Sequence, residues 1–161
     1  MIDDTIYIGG FKNDTFEGKA RLLLPTGVIF EGLFSKGICA SIGRLLYPDG
    51  EIYFGQHKGF MKDGQGKTIF LKGSIYEGHY KKGVMKGFGR HFDIETGDIY
   101  LGNFMNGKRH GEGKLYSKGK DEIYDGNWAS DKKNGTGKVI SRNGQIHMGD
   151  FRTNIMEGLL Q

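Results

Sequence analysis

The sequence predicts an all-β protein: an elongated, twisted, single-layer antiparallel sheet made of consecutive β-hairpins. Three observations support this prediction. The 161-residue chain contains 29 glycines but only 2 prolines, and its glycine content is more than twice the roughly 7 % of an average protein. An aromatic–glycine–aromatic pattern recurs with a period of 23 or 24 residues, as in repeat proteins. Apolar and polar residues alternate around each copy, which is typical of strands.

The repeat has several fixed positions, numbered from the first ring of each copy. The copies start at Tyr7, Phe30, Tyr53, Tyr76, Tyr100, Tyr124 and His147. Position 3 is always glycine: Gly9, Gly32, Gly55, Gly78, Gly102, Gly126 and Gly149. Position 5 always has a ring: Phe11, Phe34, His57, Tyr80, Phe104, Trp128 and Phe151. Four copies also have glycine at positions 12 and 14, as at Gly64 and Gly66.

Each copy predicts one hairpin. An isoleucine precedes every start, a second alternating run follows the turn, and a glycine-containing turn then leads into the next copy, so a copy contains two strands. A compact turn sets position 5 opposite position 12 and position 3 opposite position 14. This register leaves a shallow, glycine-floored trough between rows of rings. It also pairs each isoleucine with an apolar residue of the second strand: Leu23, Leu46, Ile69, Phe92, Tyr116 and Ile140.

A basic residue occupies position 15 in six copies: Arg21, Arg44, Lys67, Arg90, Lys114 and Lys138. Such a series resembles a binding ladder. The predicted register, however, sets three of these residues opposite an acidic residue, in the pairs Arg44–Glu31, Arg90–Glu77 and Lys138–Asp125. We therefore expect cross-strand pairing to neutralise about half of the ladder.

The full pattern is Tyr-x-Gly-x-aromatic-x-x-Gly, followed by Gly-x-Gly and a closing Asp-Gly, as at Asp49-Gly50. It closely resembles the MORN (membrane occupation and recognition nexus) repeat. Because the resemblance spans nearly the whole chain, residues 1–161 are predicted to form one array, with repeats starting near 7, 30, 53, 76, 100 and 124 and a partial seventh near 147. We expect the seventh repeat to lack its second strand.

Composition excludes several functional classes. The net charge of +4 permits an acidic partner but is too small to predict nucleic-acid binding. A single cysteine, Cys39, leaves no disulfide framework or cysteine metal cluster and favours a reducing, cytoplasmic location. No apolar run approaches the roughly 20 residues of a membrane span.

Motifs for catalysis or ligand binding are also weak. The segment 64–68 ends like a phosphate-binding loop, but Met61 stands where such a loop needs its first glycine, and the repeat already explains both glycines. The five histidines are scattered without ligand spacing. The sequence therefore predicts a non-enzymatic protein with no cofactor, metal site or small-molecule substrate.

Two surfaces are candidate binding sites. The first is an aromatic face, because rings supply contact area at low entropic cost; its residues are Tyr53, Tyr76, Tyr80, Tyr100, Phe104, Tyr124 and Trp128. The second is a basic edge in the hairpin loops of the fifth and sixth copies, formed by Lys108, Arg109, His110, Lys132 and Lys133. This edge suits either an acidic docking partner or a solvated, lysine-rich loop.

The resemblance implies a scaffold that binds protein partners in a ciliary, axonemal or cortical cytoskeletal assembly. The aromatic face favours the same interpretation. One alternative is a peripheral module for anionic phospholipids or phosphoinositides, which needs a continuous basic face; the basic edge alone suits weak lipid contact. Another is the regulatory part of a larger enzyme, because MORN arrays accompany lipid kinases and methyltransferases. The open end strands favour association with a second copy of the chain.

Overall fold

A computed structural model describes residues 4–159, which contain fourteen β-strands and no helix. The strands are β1 (Ile6–Lys12), β2 (Thr15–Leu23), β3 (Ile29–Ser35), β4 (Ile38–Leu46), β5 (Ile52–Lys58), β6 (Met61–Ile69), β7 (Ile75–Lys81), β8 (Val84–Phe92), β9 (Ile99–Met105), β10 (Lys108–Ser117), β11 (Glu122–Ala129), β12 (Lys132–Ser141), β13 (Ile146–Arg152) and β14 (Ile155–Leu159). They form one antiparallel sheet in which each strand pairs with its sequence neighbours. The predicted all-β meander of hairpins is confirmed.

Each hairpin closes with a two-residue turn in which both residues have positive φ. These turns are Asn13-Asp14, Lys36-Gly37, Gly59-Phe60, Lys82-Gly83, Asn106-Gly107, Ser130-Asp131 and Thr153-Asn154. Positive φ at both central residues is typical of type I′ turns, whose backbone twist matches the right-handed twist of the strands. The turn therefore sets position 6 opposite position 9, as in the Lys58–Met61 pair.

The predicted strand register is partly confirmed. Position 3 faces position 14, as in the Gly55–Gly66 pair, and all six isoleucine pairs form as expected. The expectation that position 5 faces position 12 of the same copy was wrong: His57 faces Lys62, at position 10. The second strand has extra residues in a bulge, where Gly64 has φ 102°. Gly64 instead pairs with Tyr80, at position 5 of the next copy.

The seventh repeat also differs from expectation. We expected no second strand there, and that prediction was wrong, because β14 pairs with β13 from Gly149–Leu159 to Arg152–Ile155. The tight turn at residues 153–154 returns the chain onto β13. Strand β14 has 5 residues, against 9 or 10 in the other second strands.

The sheet has two chemically different faces, because successive side chains of a strand point to opposite sides. Rings at positions 1 and 5 lie on one side, which we call the ring face. Most of the buried hydrophobic side chains lie there, and Tyr53 and Tyr76 are fully buried. The opposite side, which we call the open face, bears positions 2, 4, 13 and 15 and the preceding isoleucines. Exposed apolar side chains there include Phe54 and Phe88.

Candidate functional site

The ring face is an interlocked stack of aromatic side chains. Four of the position-5 rings contact the position-1 rings of their own and the preceding copy at nearly right angles: Phe34, Tyr80, Phe104 and Trp128. Phe104, for example, has its centroid 5.0 Å from Tyr76 and 5.1 Å from Tyr100, at 85° and 88°. Trp128 repeats this geometry against Tyr100 and Tyr124 at 5.3 and 5.2 Å. Edge-to-face pairs are favoured by the ring quadrupole, so the stack stabilises the sheet from one side.

The paired glycines make space for the position-1 rings. A Cβ atom at Gly66 would lie 2.2 Å from the Tyr53 ring, and one at Gly113 would lie 2.2 Å from the Tyr100 hydroxyl. The hydroxyl of Tyr100 donates a hydrogen bond of 2.9 Å to the carbonyl of Asn103. The tyrosine rings therefore lie flat on the glycine backbone, and they fill the trough that the sequence predicted on this face.

Burial of these tyrosines changes their acidity. It raises the pKa of Tyr53 and Tyr76 to about 12, because the charged phenolate would be poorly solvated. Tyr80 and Tyr100 have pKa values raised further, again mainly by burial. The hydroxyls therefore stay protonated at physiological pH and act as hydrogen-bond donors rather than as bases.

The structure brings the seven predicted aromatic residues together within the stack. Their exposed fractions lie between 0 % for Tyr53 and 6 % for Phe104. A partner on this side would reach only small parts of each ring. Their role as partner contacts stays a prediction.

The predicted basic edge divides into two groups. The structure places its residues at the starts of β10 and β12, two strands apart, and Lys108 and Lys132 are exposed. Arg109 instead turns onto the ring face, with its Cζ 4.4 Å from the Trp128 centroid and its Nε 3.2 Å from Asp131. Lys133 lies 4.6 Å from the Tyr124 centroid, and burial lowers its pKa. His110 is half-buried beside Arg109. Whether the edge binds a partner stays a prediction.

Sequence reasoning missed a buried ion pair between Lys62 of the third copy and Glu51 of the second. Lys62 is 7 % exposed, pairs with Glu51, and lies 5.0 to 5.6 Å from the centroids of three tyrosines: Tyr47, Tyr53 and Tyr80. Position 10 also holds Arg109 and Lys133, so three copies place a cation over rings. The sequence does contain a signal for these contacts: with a two-residue turn, the cation at position 10 lies opposite the ring at position 5.

The open face presents a row of side chains from positions 2 and 15, which cross-strand pairing places side by side. We call it the alternating row: Ile8, Arg21, Glu31, Arg44, Phe54, Lys67, Glu77, Arg90, Leu101, Lys114, Asp125, Lys138 and Met148. Five of its six cations pair with an acidic neighbour, for example Lys67 with Glu77 at 2.8 Å and Lys114 with Asp125 at 3.2 Å. Among residues 4–159, Arg90 has no carboxylate within 4.0 Å. More of the cations are therefore paired than we expected, because two carboxylates are shared between two cations, but the expected Arg90–Glu77 ion pair does not form.

Two shallow grooves lie on the open face and meet at Ile42 and Phe54. One has a volume of about 890 Å³ and extends to Leu33; the other, of about 580 Å³, extends to Phe88 and Leu101. Glycine backbone forms their floor, since the rings that cover these glycines lie on the other side. The grooves thus combine exposed apolar side chains with flat, accessible backbone.

Other chemistry finds little support in the described part of the chain. Among residues 4–159, no group of three or more His, Cys, Asp or Glu side chains is arranged to hold a metal ion. The same residues include no helix of the length and apolarity that a membrane crossing requires. Burial raises the pKa of the Cys39 thiol, which disfavours the nucleophilic thiolate.

Comparison with solved structures supports the fold. The TCP10 domain of Danio rerio CPAP superposes with a TM-score of 0.53 at 12 % identity, over 91 % of this chain and 66 % of that chain. The SAS-4 (dCPAP) TCP domain of Drosophila melanogaster, solved with a Proline Rich Motif of Ana2 (dSTIL), gives 0.51 at 14 % identity, over 91 % and 83 %. At these identities the likeness concerns the fold alone.

Sequence comparison identifies the repeat. No curated protein matches the sequence significantly. The MORN repeat family, in contrast, matches residues 7–29, 30–52, 76–91, 100–121 and 124–146, which together make up more than half of the chain. Residues 53–75, which contain Lys62, lie outside these matches yet form the same hairpin. The chain belongs to the MORN repeat family.

Proposed function

We propose that this protein is a non-catalytic scaffold or adaptor that binds other proteins through the open face of its sheet. One observation supports this most directly: Ile42, Phe54 and Phe88 are 51 %, 60 % and 56 % exposed around continuous glycine backbone. A cluster of large exposed apolar side chains on a folded protein marks an interaction surface more often than not. Binding there leaves the ring stack intact, because the stack lies on the other side of the sheet.

The setting we propose is a cytoplasmic, cytoskeleton-associated assembly, ciliary, axonemal or cortical. Membership of the MORN family supports it. The SAS-4 TCP domain, which has a similar fold, was solved in complex with a motif of another protein, and this supports protein binding by such a sheet. The proposed association of copies through the end strands β1 and β14 is an additional route to assembly.

The test is capture of partners by purified protein. The variant Phe54→Ser/Phe88→Ser removes two exposed rings from the open face, and the matched control Leu71→Ser/Ile94→Ser removes two exposed apolar side chains from turns. We expect the first variant to lose its specific partners, as quantified by mass spectrometry of material bound from a native cell extract, and the control to retain them. Circular dichroism checks that both remain folded.

Two other outcomes would redirect the proposal. Retention of every partner by Phe54→Ser/Phe88→Ser would remove the open face as the binding surface. If Lys108→Glu/Lys132→Glu abolished binding to phosphatidylserine vesicles while the open-face variant bound all proteins normally, the membrane alternative would take its place.

A further inference from the structure

The alternating row has a longer period than the repeat itself. Position 15 is basic in the first six copies, but position 2 switches between apolar and acidic residues from one copy to the next: Ile8, Glu31, Phe54, Glu77, Leu101, Asp125 and Met148. The row therefore repeats every two hairpins. Each acidic residue lies between two cations, and so do the two inner apolar residues, Phe54 and Leu101.

The charges of this row are unevenly compensated. Six cations flank only three acidic residues, so each cation–acid–cation group keeps one net positive charge. Glu31 accepts from both Arg21 and Arg44, and Asp125 lies within 3.2 and 3.5 Å of Lys114 and Lys138. The excess positive charge consequently borders the apolar residues. Arg90 beside Leu101 is the cation without a close carboxylate among residues 4–159.

A second copy of the chain does not complement this row. If two rows meet without an offset, apolar residues face each other but every cation faces a cation. An offset of two strands places acidic residues on apolar ones and again sets cations against cations. An offset of one strand pairs half of the cations with acidic residues, but it sets every apolar residue against a cation. Like charges brought together at an interface cost free energy. The complementary occupant is therefore a segment that combines apolar with acidic residues.

Strand spacing fixes the distances within that occupant. Phe54 on β5 and Leu101 on β9 are four strands apart, which corresponds to about 19 Å along the row. Six residues of an extended chain span about 19 to 20 Å, and six is a multiple of both the strand period of two and the polyproline II period of three. An α-helix needs about 13 residues for this distance. Two residues 13 positions apart lie on roughly opposite sides of a helix, so both cannot contact the row.

We propose that the open face binds an extended acidic segment of a partner protein, with apolar residues six positions apart and acidic residues next to each of them. The apolar residues contact Phe54 and Leu101, and the acidic residues contact the flanking cations, with Arg90 offering an unused guanidinium. The segment runs across the strands, over the groove of about 580 Å³ that contains Phe54, Phe88 and Leu101. This inference rests on the proposed function and adds the chemistry of the partner.

The test uses random peptides displayed on phage, selected on the intact protein and counter-selected on Phe54→Ser/Leu101→Ser. The expected result is a consensus with apolar residues six positions apart and Asp or Glu beside them. A synthetic peptide of that consensus should bind about tenfold or more weakly to Arg44→Glu/Lys67→Glu, whereas Lys86→Glu/Lys118→Glu, outside the row, should bind normally. Its affinity should also fall with added salt, because the pairing charges are exposed.

The outcomes separate this inference from the proposed function. Peptides that need Phe54 and Leu101 but are basic, neutral or indifferent to spacing would overturn the inference and leave the protein-binding function in place. Equal affinity for the consensus peptide and for a version with its apolar residues five instead of six positions apart would likewise overturn only the inference. A selection that yields no open-face-dependent peptide, with row variants losing phosphatidylserine vesicles instead, would overturn both.

Discussion

The ring face and the open face are two sides of the same glycines. At Gly66, the Tyr53 ring covers the backbone from one side, while the other side is the floor of a groove. Side chains on the ring face contact each other, so the face needs no second layer to bury them. On the open face, large side chains such as Phe54 remain 60 % exposed. In a single-layer sheet, one face can thus stabilise the fold while the other face remains accessible for binding.

The largest expected effect comes from removing a ring of the stack. Tyr76 is fully buried between Tyr80 and Phe104, so Tyr76→Ala should lower the free energy of unfolding by about 3 to 5 kcal/mol. Phe54→Ala, on the open face, should change it by about 0.5 kcal/mol or less. Urea denaturation followed by circular dichroism measures both. Equal losses would show that the two faces contribute alike to stability.

The glycines beneath the rings give a slightly smaller effect. Gly66→Val would push a branched side chain into the Tyr53 ring, 2.2 Å from the added Cβ, and should cost about 3 kcal/mol by overpacking. Gly119→Ala is the matched control, because a Cβ there meets nothing within 4 Å. If both variants unfold at the parent's denaturant concentration, the tyrosine rings do not rest on the glycines as described.

The buried Lys62–Glu51 pair, which joins the third copy to the second, tests whether paired charges stabilise the ring face. Lys62→Met leaves Glu51 without its partner, and we expect a loss of about 2 kcal/mol, less than for a fully buried pair because the Glu51 side chain is 19 % exposed. Adding Glu51→Gln should restore most of the stability, since the uncompensated charge is then gone. A double variant as unstable as the single one would mean that packing of the lysine stem, not charge, is what matters.

The smallest effect is a pH dependence at His57. Burial lowers the pKa of His57 in the folded state, so the neutral ring is favoured there. The unfolded chain then binds more protons, and stability falls as the pH drops below about 6.5. His57→Phe should flatten the dependence between about pH 7.5 and pH 5.5 by about 1 kcal/mol or less. An unchanged pH profile would show that His57 is protonated in the fold at no cost.

Much of the fold was predictable from the sequence, because the same hairpin pattern occurs in seven copies that can be compared position by position. The glycine pairs and the isoleucine pairs were correct for that reason. The bulge was not predictable from alternation: Gly64 lies in a strand by pattern, and its positive φ shows only once the tight turn is in place. That bulge sets five of the seven position-5 rings opposite a glycine of the preceding copy, as in the Tyr80–Gly64 pair, and so joins neighbouring hairpins.

The sequence by itself determined the family, the strands and which residues share a face, because these depend on local spacing that repeats along the chain. The tertiary structure alone decided how accessible each residue is. Tyr76 and Phe54 are both aromatic residues of first strands, yet one is 0 % and the other 60 % exposed. The difference arises because rings on one face pack against rings of the neighbouring hairpins, whereas Phe54 on the other face lies between the cations Arg44 and Lys67. Exposure is a property of the assembled sheet, and a single repeat does not contain it.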